Sequence, residues 1–166
     1  MKPKWWEKSK KYLSKKDKVM KRLINSYKGN LTTRNNFFYS LTRSIISQQI
    51  SVSAAESVFL KFQKKCKGKI KPKTVSKLSI SDLRRCGLSR MKAIGIKSLS
   101  EKILNKSFNP RLIKNMTDEE AIVYLSSLRQ IGRWSSEMVL IFFYNRPNIW
   151  PVQDIGLLRA ISKNYK

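Results

Sequence analysis

Few residue types in this chain could do chemistry, because its 166 residues include no histidine. That absence excludes Ser-His-Asp triads, Cys-His pairs, histidine-ligated metals and imidazole acid–base catalysis. Catalysis must therefore use a carboxylate, a lysine, a tyrosine or backbone groups, and only 10 Asp and Glu residues are present. Cys66 and Cys86 lack C-x-x-C spacing and predict neither a disulfide framework nor a zinc site.

An acidic run and a single aspartate lie where helices are predicted to begin. Thr117 precedes the acidic run 118–120, which suits the positive end of a helix dipole. Asp154 directly precedes the run IGLL and is predicted to cap the last helix. An N-cap role alone would account for Asp154, so its neighbours must decide whether it also does chemistry.

The elements that must position these acids are helices. Apolar residues recur at helical spacing along most of the chain, and no strand-like alternation occurs. Glycine and proline breakers separate the segments, with no long linker and no internal repeat. We therefore expect one all-α domain over residues 1–166, a compact bundle of about eight short helices.

The stretch LRQIGRWSSEM, Leu128–Met138, predicts a hairpin of two helices with Gly132 in its turn. Free N–H groups at the start of the second helix attract anions, and the helix dipole and Arg133 add positive potential. Such a hairpin suits the phosphate backbone of DNA without reading bases, although a plain αα-hairpin would look similar. The predicted contacts are Arg129, Gln130, Ile131, Gly132, Arg133 and Ser135.

The overall charge favours a polyanionic partner. There are 36 Lys and Arg against 10 Asp and Glu, a formal net charge of +26. A lysine-rich surface without a special partner is the alternative. No apolar run approaches the roughly 20 residues that span a bilayer, and the charged N-terminus does not resemble a secretory signal, so we expect no membrane association and no secretion.

Four ordered motifs resemble the helix-hairpin-helix DNA glycosylase superfamily, and more closely the DNA-3-methyladenine glycosylase II type. They are SLTRSIISQQISVSAAESVF (40–59), GLSRMKAIGIKSLSEKI (87–103), IGRWSSEMVLIF (131–142) and PVQDIGLLRAI (151–161). The likeness runs over nearly the whole chain from about Trp5. It implies an all-α glycosylase domain that flips a base out of duplex DNA.

The resemblance assigns roles to two residues of the last motifs. Asp154 matches the catalytic aspartate, which stabilises positive charge on the deoxyribose and helps to place the attacking water. Trp134 stands where relatives that also cut the backbone have a nucleophilic lysine, so a monofunctional enzyme is expected. An indole there would suit stacking on a flipped base; its alternative is a packed residue at a helix start.

The implied base pocket is aromatic, since alkylated purines are cationic and bind electron-rich rings. Its predicted members are Trp134, Trp150, Tyr144 and Phe38, with Phe37, Trp5 and Trp6 as further candidates. The turn formed by Gln48, Gln49, Ile50 and Ser51 resembles the family's minor-groove element, where a side chain fills the gap left by the flipped nucleotide. A polar turn at a helix end is the simpler interpretation of that turn.

Three departures from the family pattern bear on these expectations. Gln130 replaces the first glycine of the usual Leu-x-Gly-x-Gly turn, at a cost of about 1 kcal/mol if positive φ is retained. Gln153 replaces the first of two common aspartates, while Asp154 matches the second. The chain stops at Lys166, where relatives continue, so we expect a domain truncated at its C-terminus.

The resulting hypothesis is a base-excision repair enzyme that hydrolyses the N-glycosidic bond of 3-methyladenine and 7-methylguanine in duplex DNA. The alternatives are a non-catalytic DNA-binding module and a glycosylase for other damaged or mispaired bases. No cofactor is expected beyond a Na⁺ or K⁺ ion at the hairpin, held by the carbonyls of Ser126, Leu128 and Ile131. A monomer is expected, in the cytoplasm at a bacterial nucleoid or in a nucleus.

Overall fold

The computed structural model describes residues 2–165, so Met1 and Lys166 of the predicted domain lie outside it. Every regular element in that range is helical, as predicted, but there are ten α-helices and one 3-10 helix rather than about eight. They are α1 (Trp6–Lys16), α2 (Lys18–Ser26), α3 (Phe37–Ser47), α4 (Val52–Lys65), α5 (Pro72–Val75), α6 (Ile80–Arg85), α7 (Arg90–Leu104), the 3-10 helix (Pro110–Asn115), α8 (Asp118–Ser126), α9 (Arg133–Phe142) and α10 (Ile155–Asn164).

Local capping determines where many of these helices begin. Thr117 and Glu120 form a reciprocal capping box at the start of α8, which confirms the predicted start. Asp154 accepts the Leu157 N–H and caps α10, also as predicted. The chemistry of the side chain before each helix therefore places the two helix starts that matter most for the site.

The core is built around α3, which packs against α4, α7 and α9. Leu41 and Ile45 of α3 are fully buried, and they join Phe62, Ile96 and Leu140 from the surrounding helices in one contiguous apolar cluster. Helix α9 also packs against α8, so the predicted hairpin rests directly on this core. The apolar stripe of α9 thereby fixes the orientation of the hairpin turn.

Helices α1, α2 and α10 contribute no buried residue. Helices α1 and α2 pack on one another and line an apolar groove of about 550 Å³ that includes Trp5 and Trp6. The Trp5 indole donates a hydrogen bond to the Asn145 carbonyl at 2.7 Å. No helix of the described residues is long and apolar enough to cross a membrane.

Candidate nucleic-acid interface and active site

The predicted hairpin is present: α8 ends at Ser126, residues 127–132 form the turn, and α9 begins at Arg133. Gly132 is the N-cap of α9, with extended backbone angles (φ −103°, ψ −175°) that any residue can adopt. A Cβ atom added there would meet no protein atom within 4 Å. Gly132 therefore keeps the outer face of the turn open rather than filling a tight space inside the protein.

Gln130 adopts a left-handed backbone conformation, with φ +65°. Its side chain lies over Gly95 of α7, where an added Cβ would come within 2.8 Å of Gln130 Cγ and 3.2 Å of the Arg129 carbonyl. The turn and α7 therefore approach closely because Gly95 has no side chain. Because φ is positive at Gln130, the expected cost of about 1 kcal/mol for a residue other than glycine applies to this turn.

Gln48 ties the end of α3 to the hairpin. Its Nε2 atom donates to the Gln130 carbonyl at 2.8 Å and to Ser135 Oγ at 2.9 Å. Lys92 Nζ in turn donates to the carbonyls of Ile46 (2.9 Å) and Gln48 (2.7 Å), and burial lowers the pKa of Lys92 from its ordinary value. These contacts give Gln48 a structural place between the two predicted DNA-contacting turns.

The next residues of the same turn are the ones that point to solvent. Gln49 is exposed and adopts left-handed φ (+54°), and Ile50 is 40% exposed. Ser51 is also exposed, but its hydroxyl caps α4 by accepting the Ala54 N–H. Of the four predicted residues, Gln49 and Ile50 are therefore free to reach a DNA groove.

Arg133 is not a free cation. Its guanidinium donates to both carboxylate oxygens of Glu119, and its Nε lies 3.2 Å from Glu137 Oε1. Pairing with Arg133 lowers the pKa of Glu119, whereas burial raises the pKa of Glu137. Arg133 keeps its charge, but the two carboxylates that face it offset part of the positive potential predicted for the hairpin.

The remaining hairpin residues divide between surface and core. Arg129 is exposed on the turn, whereas Ile131 and Ser135 are buried, 5% and 2% exposed. The Leu128 carbonyl, one of three predicted cation ligands with those of Ser126 and Ile131, accepts the Ile131 N–H at 3.1 Å. A carbonyl oxygen has two lone pairs, so this bond leaves one acceptor position of the Leu128 carbonyl unused by Ile131.

Asp154 lies beside the first turn of α9. Its Oδ1 accepts the Leu157 N–H at 2.8 Å and its Oδ2 accepts the Trp134 indole N–H at 2.8 Å. Both Asp154 and Trp134 are half-buried. A Cβ atom on Gly156 would lie 3.1 Å from Asp154 Oδ1. The absence of a side chain at Gly156 therefore leaves room for the carboxylate to fold back over the first turn of α10. Asp154 is thus a helix cap and, at once, a carboxylate held at the hairpin.

The other predicted pocket aromatics lie in different surroundings. Trp150 is 64% exposed in the loop before Asp154. Phe38 is 3% exposed and Phe37 8%, so both are core residues, and their assignment to an open pocket is corrected. Tyr144 packs edge-on against Phe37 and donates its hydroxyl hydrogen bond to the Pro110 carbonyl at 2.6 Å, and burial raises its pKa. The ring and hydroxyl of Tyr144 are therefore both engaged in contacts with other parts of the protein, which argues against its predicted place in the base pocket.

Sequence reasoning missed several residues that hold the site. The pairing of Glu137 with Arg133 could have been inferred from their i, i+4 spacing. Glu119 lies 14 positions from Arg133, and Gly95 and Lys92 lie on a different helix from the turns that they support. No local signal marks such long-range contacts.

The structure thus combines an all-helical core with a helical hairpin and an aspartate beside the hairpin's second helix. The profile of the HhH-GPD superfamily of base excision DNA repair proteins matches residues 42–165, and the chain belongs to this superfamily. The chain is 29% identical over 144 residues to DNA-3-methyladenine glycosylase 1 of Schizosaccharomyces pombe, covering 84% of this chain and 63% of that one. It is 32% identical over 124 residues to the alkylbase DNA glycosidase-like protein mag2 of the same organism, covering 72% and 58%.

Solved structures agree with this placement. The S. pombe 3-methyladenine DNA glycosylase in complex with abasic DNA superposes with a TM-score of 0.81 at 28% identity, over 96% of this chain and 82% of that one. An 8-oxoguanine glycosylase/lyase from Clostridium acetobutylicum superposes with a TM-score of 0.83 over 99% of this chain and 59% of that one, but at 20% identity it shows the fold alone. The chain spans 63% and 58% of the two curated relatives named above.

Proposed function

We propose that the protein is a monofunctional DNA glycosylase that hydrolyses the N-glycosidic bond of alkylated purines, 3-methyladenine and 7-methylguanine, in duplex DNA. The single observation that carries the proposal is the Asp154 carboxylate, held 2.8 Å from an indole nitrogen at the start of the hairpin's second helix. The relatives named for 3-methyladenine and alkylated bases support the choice of substrate.

Asp154 would act as the electrostatic and general-base group. As the C1′–N bond breaks, its electron pair leaves with the base and positive charge develops on the sugar. A nearby carboxylate stabilises that charge and can take the proton of the water that bonds to C1′, which leaves a free base and an abasic site. Each Asp154 oxygen accepts one hydrogen bond in the protein, so each retains acceptor capacity for the sugar or the water.

Trp134 and Trp150 would form the aromatic wall for the flipped base. A cationic alkylated purine stacks on an electron-rich ring, and its weakened glycosidic bond lets one carboxylate suffice. Trp134 has no amine and cannot form a Schiff base with the sugar. Water is therefore the proposed nucleophile, and no strand cleavage by elimination is expected.

The hairpin turn and the turn 48–51 would grip the strand on either side of the flipped nucleotide. Gln49 or Ile50 would fill the gap in the duplex, and the amides at Gly132 would approach a phosphate. The carbonyls of Ser126, Leu128 and Ile131 would hold a Na⁺ or K⁺ ion, since the left-handed Gln130 preserves the turn there. We further propose that the protein acts as a monomer on nucleoid or nuclear DNA.

The test is incubation with methylated duplex DNA, followed by chromatography of the released bases and by gel analysis of the strand. We expect release of 3-methyladenine and 7-methylguanine, with strand breaks only after alkali or heat. Parallel duplexes with deaminated or mispaired bases test the other substrate classes. Tight binding without release of any base would overturn the proposal in favour of a non-catalytic DNA-binding module.

A further inference from the structure

We infer that Trp134 is a positioning residue whose indole N–H fixes the orientation of the Asp154 carboxylate. The inference rests on the proposed role of Asp154 and adds a role for the nitrogen of Trp134, distinct from stacking by its ring. Two donors from two helices hold the two oxygens separately: Trp134 Nε1 on Oδ2 and the Leu157 amide on Oδ1, each at 2.8 Å. Together they prevent the carboxylate plane from rotating about Cβ–Cγ.

Burial holds Asp154 only in part, since the residue is half-buried and the nearest buried residue along the chain is Pro151, whose carbonyl accepts the Asp154 N–H at 2.9 Å. None of the residues 152–165 is buried, and α10 contributes nothing to the apolar core. Besides the Trp134 bond, side-chain hydrogen bonds join this segment to the rest of the chain at Asn164, from Arg22, and at Tyr165, to Asp17. Those two lie about ten residues along α10, or about 15 Å from Asp154. The hydrogen bond from the Trp134 indole therefore joins the N-terminal end of this segment, which carries the Asp154 carboxylate, to α9.

Cleavage of the glycosidic bond by Asp154 would require the carboxylate to be held in one orientation. A carboxylate stabilises charge at C1′ only when its free lone pairs face that atom, and small errors of placement cost large factors in rate. Indole N–H is a donor only and does not ionise, so it can hold a carboxylate without competing for the proton of the water. The bond also fixes the plane of the Trp134 ring beside the same site.

Two substitutions separate the nitrogen from the ring. Trp134→Phe removes the donor and part of the ring, whereas a site-specific benzothienylalanine replaces only N–H by sulfur in a ring of almost the same shape. The matched control is tryptophan incorporated at position 134 by the same method as the analogue, which keeps both the ring and the N–H. Each protein is compared with the parent by single-turnover base release at saturating enzyme, and by affinity for duplex DNA with an abasic-site analogue.

We expect the sulfur analogue and Trp134→Phe to lower the saturated rate about 10- to 100-fold, which corresponds to losing one charge-assisted hydrogen bond. Affinity for abasic-site DNA should stay within about threefold. The control with tryptophan reincorporated at position 134 should keep the parental rate. A parental rate for the sulfur analogue would overturn the inference while leaving Asp154 as the proposed catalytic residue. If the parent itself releases no base, the proposed function fails first, and this inference fails with it.

A second readout reports on the bond itself. Among the indole N–H signals of the 4 tryptophans, the one lost in Trp134→Phe should lie downfield in the parent, as expected for a donor to a carboxylate. Asp154→Ala should move that signal upfield and leave the other three in place. An unchanged Trp134 signal in Asp154→Ala would show that no such bond exists in solution and would also overturn the inference.

Discussion

The hairpin turn (residues 127–132) and the Asp154 segment (residues 152–165) meet at the start of α9, but they are held in different ways. The turn contains the buried side chains of Leu128 and Ile131, and its backbone is pressed against Gly95 of α7. The Asp154 segment has no buried residue and depends on a few hydrogen bonds. Substitutions in the turn should therefore affect stability and DNA approach, and those in the segment should affect chemistry.

The largest expected effect is in the Asp154 segment. Asp154→Asn keeps a side chain that caps helices as well as aspartate does, but it removes the negative charge. We expect base release to fall about 10³-fold, because the charge acts on the cationic transition state. The single amide oxygen can accept either the Leu157 N–H or the Trp134 N–H but not both, so one hydrogen bond is lost as well. Affinity for abasic-site DNA should change little, because it rests mainly on the phosphates. Single-turnover release and binding to abasic-site DNA measure the two quantities.

Asp154→Ala is the control for the cap. It should lose the same activity and, in addition, about 1 kcal/mol of the free energy of unfolding. If Asp154→Asn retains near-parental turnover, Asp154 is only a cap, and the chemistry proposed for this segment is wrong.

The second effect belongs to the outer face of the hairpin turn. Gly132→Val adds bulk where no protein atom lies within 4 Å, so the clash should arise only with bound DNA. We expect single-turnover release at saturating enzyme to fall about 10- to 100-fold, since a displaced strand no longer sits correctly at Asp154. Gly29→Val is a matched control, because a Cβ there also meets no protein atom. Equal saturated rates for Gly132→Val and the parent would mean that the turn contributes affinity alone.

Local sequence patterns predict the main elements of both regions. The cap at Asp154, the cap at Thr117 and the hairpin around Gly132 all follow from local patterns, and the structure has them. Helices α5 and α6 span only 4 and 6 residues, too short to show an apolar stripe, and this contributes to the low predicted helix count.

The candidate site was less predictable because its contacts are long-range. The Trp134–Asp154 bond spans 20 positions and the Gln48–Gln130 bond 82, so no spacing rule points to them. Phe38 was assigned to the pocket by residue type alone, and type does not distinguish a core ring from a pocket ring. Arg133 was taken as a free cation because its partner Glu119 lies on the preceding helix.

The third prediction tests whether the close packing of Gln130 in the turn against Gly95 of α7 contributes to stability. Gly95→Ala would gain about 1 kcal/mol of helix propensity, but its Cβ would come within 2.8 Å of Gln130 Cγ. We expect a net loss of about 1–2 kcal/mol in the free energy of unfolding, measured by urea denaturation. In a Gln130→Gly background the same substitution should destabilise less, because the crowded side chain is gone and only the Arg129 carbonyl, 3.2 Å from the added Cβ, remains close. Equal losses in both backgrounds would contradict the contact.

The smallest effect concerns the charge of the turn. Glu119→Gln should release the Arg133 guanidinium from its bidentate partner, although Glu137 still lies 3.2 Å from its Nε. A freed Arg133 can approach a phosphate, so affinity for undamaged duplex should rise about two- to fivefold at low salt. The slope of log K against log salt should steepen by about 0.9, the value for one more neutralised phosphate.

The control is Glu7→Gln on α1, which makes the same change in net charge but removes a carboxylate that pairs with Lys2 and Lys10 instead. A general gain in charge would raise affinity equally in both variants, whereas a specific release of Arg133 steepens the slope only in Glu119→Gln. Identical slopes in the two variants would show that releasing Arg133 from Glu119 adds no contact between Arg133 and a phosphate.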